Sequence, residues 1–205
     1  MRVNLEKKEE RDRITRALLR VTLRLAAEHG FTSLGLREVA RAADIAPTSF
    51  YRHFSDMEEL GLALIEELVG PFVGECAAPD SVVDVVASSL LDAIVSRTLR
   101  GAVEDPELMR FILAERLGPI PSFRTALVRK LAVLLAALQE ALLSEERGNK
   151  AKLPAHINDG ALVLLLEGCG TLLELGQEHV PMLRKRVVAQ INALATGAAR
   201  SENSA

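Results

Sequence analysis

Apolar residues recur at helical spacing along almost the whole chain, and the interruptions mark where each helix stops. Over residues 8–29 the stripe Ile14, Ala17, Leu18, Val21 and Leu25 holds one face, and Gly30 ends it. A shorter amphipathic run follows Gly35, which stands at a helix start with Glu38 three residues on, a capping box that lacks its hydroxyl. In that run Leu36, Val39 and Ala40 share a face, and Ile45, Phe50 and Phe54 supply apolar contacts to a turn and a third helix. The third helix is predicted over 47–53, because proline at the first helical position forfeits no hydrogen bond. A fourth starts at Ser55 or Asp56, with Glu58 or Glu59 completing a cap, and runs to about Glu75. Further helices are predicted over 80–100, 106–117, 122–144, 155–176 and 180–199. They are punctuated by Pro79, Gly101, Gly118-Pro119, Pro121, Gly148, Pro154 and Pro181, with a frayed tail over 200–205.

The spacing within 36–54 is that of a helix-turn-helix. Its two helices share a small core and leave Thr48, Ser49, Tyr51, Arg52 and His53 outside, where hydroxyls, a guanidinium and ring edges suit bases and phosphates in a major groove. An ordinary surface helix of a bundle satisfies the same spacing.

Composition sharpens the picture. Aromatics make up 3% of the chain, tryptophan is absent, and alanine and leucine dominate, which favours packed helices over a sheet and gives an all-α fold class. With 205 residues, 49% of them hydrophobic, the chain divides into a small head over 1–54 and a larger body over 55–199. The net charge of −3 hides an asymmetry: residues 1–54 carry +4 and the remainder −7. Only the head is therefore suited to a polyanion. Arg13, Arg16, Arg20 and Arg24 form a basic row beside the first stripe; the earliest could touch phosphates, while Arg20 and Arg24 read as a solvated face.

Cys76 and Cys169 lie in apolar helical surroundings without metal-ligand spacing and read as buried free thiols. The charged start over 1–16 lacks the apolar core of a signal peptide, and no uncharged apolar run reaches the ~18 residues of a membrane span, so a cytoplasmic protein without membrane insertion is expected. The four histidines, His29, His53, His156 and His179, are dispersed without a nucleophile or metal motif, which argues against an enzyme, a metal centre or a bound cofactor.

Thr48-Ser-Phe-Tyr-Arg-His-Phe54, with Val39-Ala40 before it and Glu59-Leu60 after it, resembles the N-terminal domain of the TetR family of bacterial transcriptional regulators. The resemblance implies an N-terminal three-helix DNA-binding domain followed by a helical ligand-binding and dimerisation domain. It assigns DNA contact to Arg37, Ala46, Pro47, Thr48, Ser49, Tyr51, Arg52 and His53. Three positions depart from the family pattern: Met57 stands where a phosphate-binding lysine is usual, Asp44 where glycine is favoured, and Ala46 where a serine cap is favoured. Aspartate enters the left-handed backbone better than most residues, so the turn is expected to survive. Within the family, Ser33–Ala40, Ile45–Phe54, Glu59–Leu62 and Arg110–Gly118 with Phe123-Arg124 are similar to the FabR/DesT-type repressors of unsaturated fatty acid biosynthesis.

The helix over 155–176 is apolar nearly all round and carries Gly160, Gly168 and Gly170, so it must be buried on more than one side. Read with the family, it and the next helix form a homodimer interface, with Leu165, Gly168, Leu172, Val188 and Ile191 as interface residues. Two reading helices about 34 Å apart then match a palindromic double-stranded operator. The subgroup implies a long-chain acyl-CoA as the small-molecule effector. Arg97, Arg110, Arg116 and Arg124 are candidates for its phosphates or carbonyls, and Phe111, Leu113 and Phe123 for its tail, although each also reads as ordinary surface or core. A TetR-type regulator of efflux or catabolism, answering to another small hydrophobic molecule, is the alternative.

Overall fold

A computed structural model of the chain describes residues 2–78, 89–145 and 155–202. Every regular element among them is helical, as the composition predicts. α1 spans Arg2–His29, starting earlier than the apolar stripe because its opening Lys, Glu and Arg residues are good helix formers, and Glu10 and Arg13 pair at 2.7 Å along it. Its buried face is also broader than the stripe: Leu18, Leu19, Thr22, Leu23, Leu25 and Ala26 are inside, while Ile14, Ala17 and Val21 are half-buried. Gly30 ends α1 at φ 80°, a left-handed backbone that favours glycine.

After a 3-10 turn at Phe31–Ser33, α2 covers Leu36–Ala42 with Gly35 at its N-cap, where no side chain closes the cap. Asp44 takes φ 56°, so the turn holds with an aspartate in the left-handed region. α3 is α-helical only over Pro47–Phe50, not 47–53. Beyond it the chain tightens into turns, Arg52 N–H reaching Ser49 O at 3.1 Å and His53 N–H reaching Phe50 O at 2.8 Å, which bring Phe54 back into the core.

α4, Met57–Leu64, begins with the expected cap: Glu59 N–H donates to Asp56 Oδ1 at 2.8 Å, and Ser55 N–H donates to Glu59 Oε2 at 2.6 Å. A π-helical segment, Ile65–Val69, and α5, Gly70–Ala77, continue it. α6 covers Leu90–Glu104; the predicted start at 80 lies outside the described residues. Gly101 does not break α6 but sits inside it, where a Cβ would stand 2.6 Å from the Phe72 ring. α7, Pro106–Glu115, α8, Pro121–Glu145, and α9, Ala155–Leu175, follow the predicted pattern, with Gly148 and Pro154 outside the described residues. A 3-10 turn at Gln177–His179 leads to α10, Val180–Glu202, which stays helical three residues past its predicted end at 199.

The chain forms two compact units, Met1–Val69 with Arg110–Leu127, and Gly70–Met109 with Val128–Ala205. The expected boundary at residue 54 falls inside the first. In that unit α1 packs on α2 and α4, and α2 on α3. Residues 110–127 belong there because Phe111 and Phe123 pack with Phe31, the Phe31 and Phe123 centroids 4.8 Å apart, and Phe123 lies over Gly61. In the second unit α9 is wrapped by α6 and α10. Gly168 lets Val187 close in, and the buried Asp92 receives Arg184 Nε at 2.6 Å in a two-pronged pair. No helix among the described residues is long and apolar enough to cross a membrane.

Candidate nucleic-acid interface

Two phenylalanines set the outward face of the first unit. Phe50 and Phe54 are buried with centroids 6.0 Å apart, so the three residues between them are pushed toward solvent. Tyr51 is 63% exposed, its ring edge-on to Phe50, while Arg52 is exposed and His53 half-buried. Ahead of Phe50, Ala46, Pro47 and Thr48 are exposed and Ser49 half-buried; Arg37 is exposed on α2. The structure thus brings all eight residues predicted to contact DNA onto one helix-turn-helix. Arg37, Arg41 and Arg52 form no ion pair with any described residue, leaving their guanidinium groups available to an anion. Between α2 and α3 lies an open hollow of 410 Å³ lined by Arg37, Arg41, Asp44, Ile45, Ala46 and Pro47.

His53 is held from behind. Its Nδ1 lies 3.0 Å from the Thr15 hydroxyl of α1. Partial burial, and then the positive charges of Arg11 and Arg52, push its pKa below the ordinary histidine value, which favours the neutral ring. When the Thr15 hydroxyl donates to Nδ1, the proton of the neutral ring sits on Nε2. Sequence reasoning missed Thr15: it stands 38 residues from its partner, and no local pattern marks a threonine on an amphipathic helix as a support. Along the basic row, Arg13 is occupied by Glu10 and Arg16 Nε by Asp12 O at 3.3 Å, while Arg20 and Arg24 are exposed.

The residues considered for an effector have these surroundings within their own units. Arg97 donates to Glu75 at 2.6 Å and lies 3.4 Å from Glu104. Arg124 donates to Gly118 O at 2.7 Å, and Arg110 is exposed. Phe111 and Phe123 are buried in the aromatic cluster with Phe31, and Leu113 is half-buried. Arg116 alone has a buried Nε without a hydrogen-bond partner, next to Glu115, whose burial raises its pKa.

Of the expected interface residues, Leu165, Gly168, Leu172 and Ile191 are buried within the chain itself and Val188 is half-buried, so the apolar character of α9 contributes to the core of the second unit. Among the described residues, the large apolar side chains that α9 and α10 leave exposed are Val163, Leu175 and Met182. Cys76 and Cys169 are buried free thiols, as expected; burial pushes Cys76 up to about 11 and Cys169 higher. Among the described residues no cluster of three or more His, Cys, Asp or Glu side chains could hold a metal ion.

Residues 18–64 match the family of bacterial regulatory proteins known as the TetR family. The chain is similar in fold to the fatty acid degradation regulator FadR from Bacillus halodurans, with a TM-score of 0.68 at 17% identity, covering 85% of this chain and 94% of that one. It is also similar to the transcriptional regulator FadR from Bacillus subtilis in complex with stearoyl-CoA, with a TM-score of 0.66 at 16% identity over 85% of this chain and 96% of that one. Salmonella enterica GusR gives a TM-score of 0.67 at 21% identity, over 89% and 95%. At these identities the likeness establishes the fold alone, an all-helical TetR-like architecture.

Proposed function

We propose that this chain is a TetR-type, sequence-specific transcriptional repressor, a homodimer that binds a palindromic operator and controls unsaturated fatty acid synthesis or desaturation genes in response to long-chain acyl-CoA. The observation that carries DNA binding is the unpaired, outward set Arg37, Thr48, Tyr51 and Arg52 on the helix-turn-helix, in the head over 1–54 with the positive balance. Phosphate contacts from Arg52, His53 and Tyr51 position the head, and Arg37, Thr48 and Ser49 read base edges. In this reading residues 1–54 bind DNA and 55–199 carry the effector site and the dimer contact, with exposed Val163, Leu175 and Met182 available to a second copy.

The fatty acid assignment is supported by the resemblance of Arg110–Gly118 and Phe123-Arg124 to FabR/DesT-type repressors and by the fold shared with a regulator bound to stearoyl-CoA. A repressor answering to another small hydrophobic molecule is the second reading. It is favoured by Arg97 being paired with two glutamates and by Phe111 and Phe123 being spent in the core. A ligand of either kind acts only through different affinities for the DNA-competent and DNA-incompetent dimers.

The test is an anisotropy titration of the full chain against an operator selected from random duplexes, with stearoyl-CoA, oleoyl-CoA or free coenzyme A added in turn. Opposed effects of the saturated and unsaturated thioesters support the lipid assignment. DNA binding indifferent to all three refutes it and leaves the second reading.

A further inference from the structure

The hollow between α2 and α3 carries a carboxylate at a surface meant for a polyanion. Asp44 lines it together with Arg37 and Arg41, over an apolar floor of Ile45, Ala46 and Pro47. Against phosphate that carboxylate is unfavourable, and its φ of 56° is a backbone that glycine adopts without cost. Neither electrostatics toward the DNA backbone nor the turn geometry therefore calls for an aspartate here. Asp44, Arg37 and Arg41 make no ion pair among the described residues, so the acid is not spent on neutralising its neighbours.

Base edges supply the missing reason. In the major groove a G·C pair presents the N7 and O6 acceptors of guanine beside the N4 amino donor of cytosine. An arginine matches the first two, and an aspartate matches the third. Building on the DNA-reading function proposed above, we infer that Arg41 and Asp44 together read one G·C pair in each half of the operator, Arg41 donating to guanine N7 and O6 and Asp44 accepting from cytosine N4. An A·T pair places its amino donor next to N7 and offers thymine O4 at the far side, so it sets an acceptor against the carboxylate and a donor against the guanidinium. Arg41 lies one turn beyond Arg37 on the same exposed face of α2, and both side chains border the same space as the acid.

The experiment selects duplexes from a random pool with the full-length protein and with Asp44→Gly and Arg41→Ala. Each selected operator is then titrated by anisotropy with every single base-pair replacement. Glycine suits the φ of position 44 and residue 41 is exposed, so both variants keep the fold; thermal melting checks this. Wild type is expected to lose about tenfold in affinity when one symmetric G·C pair is replaced by A·T. In both variants that loss shrinks to less than about threefold, while preference at the other positions is retained. Variants that select the same sequence with the same discrimination overturn the inference and leave the DNA-reading function standing. A wild-type protein that selects no sequence overturns that function and this inference with it.

Discussion

Replacing Gly61 by alanine tests the packing that ties residues 110–127 to the helix-turn-helix. A Cβ at position 61 would lie 2.0 Å from Phe123 Cζ and 2.8 Å from Cε1 and Cε2, where about 3.5–4.0 Å is the comfortable carbon–carbon separation. Phe123 is fully buried and packs against Phe31 and Phe111, so its ring has nowhere to retreat without displacing α4 or opening the aromatic cluster. Overpacking of this kind costs about 1–3 kcal/mol, and so deep an overlap belongs at the upper end. Alanine in a helix returns about 1 kcal/mol relative to glycine. The net expectation is a loss of about 2 kcal/mol, read as a lower urea midpoint with an unchanged slope. Shortening the ring in Gly61→Ala/Phe123→Leu should make the two changes strongly non-additive, the double variant more stable than the sum of the singles. A Gly61→Ala protein stabilised by about 1 kcal/mol, as helix propensity alone requires, would show that Phe123 does not rest on Gly61.

Asp92→Ala strands Arg184 without its two-pronged partner in the second unit and should cost about 3–5 kcal/mol by urea unfolding; a loss below about 1 kcal/mol would contradict the pair's buried character. Because burial and Arg11 and Arg52 lower the His53 pKa in the folded state, the unfolded chain binds its proton more tightly. Stability should therefore be full above about pH 6.5 and fall as pH drops below that value toward the folded pKa, and His53→Gln should show a smaller fall between pH 7.5 and 5.5. An equal fall in both proteins would refute that assignment. Val163→Glu, on an exposed position of α9, should yield monomers by analytical ultracentrifugation, whereas Leu165→Ala should instead lower stability by about 2–5 kcal/mol; dimers that persist in Val163→Glu place the contact elsewhere.

What the sequence revealed about this molecule was its local chemistry. Leu18, Val39, Phe50 and Phe54 declare a shared core through spacing, and Asp56 with Glu59 declares a helix start, because caps and stripes depend on residues within one or two turns. The end of α3 at Phe50 was not visible, since the turns that follow it are set by the inward pull of Phe54. Nor was the support of His53 by Thr15, a contact between α1 and the turn after α3 that no local periodicity encodes. The apolar all-round α9 was recognised as buried, yet an apolar side chain looks the same whether a neighbouring helix or a second copy covers it; Leu165, Leu172 and Ile191 turned out to face their own protomer. Phe111 and Phe123 posed the same ambiguity between pocket and core; both rings pack with Phe31.

The central claim is that the face carrying Thr48, Tyr51, Arg52 and His53 reads double-stranded DNA, and enrichment from a random duplex pool tests it most directly. The full chain should enrich a two-fold symmetric sequence with half-site centres about 10 base pairs, or a multiple of that, apart, and Tyr51→Ala/His53→Ala should lose most of its affinity for it. A pool that yields no enriched sequence, or one bound equally well by the double variant, would contradict the account.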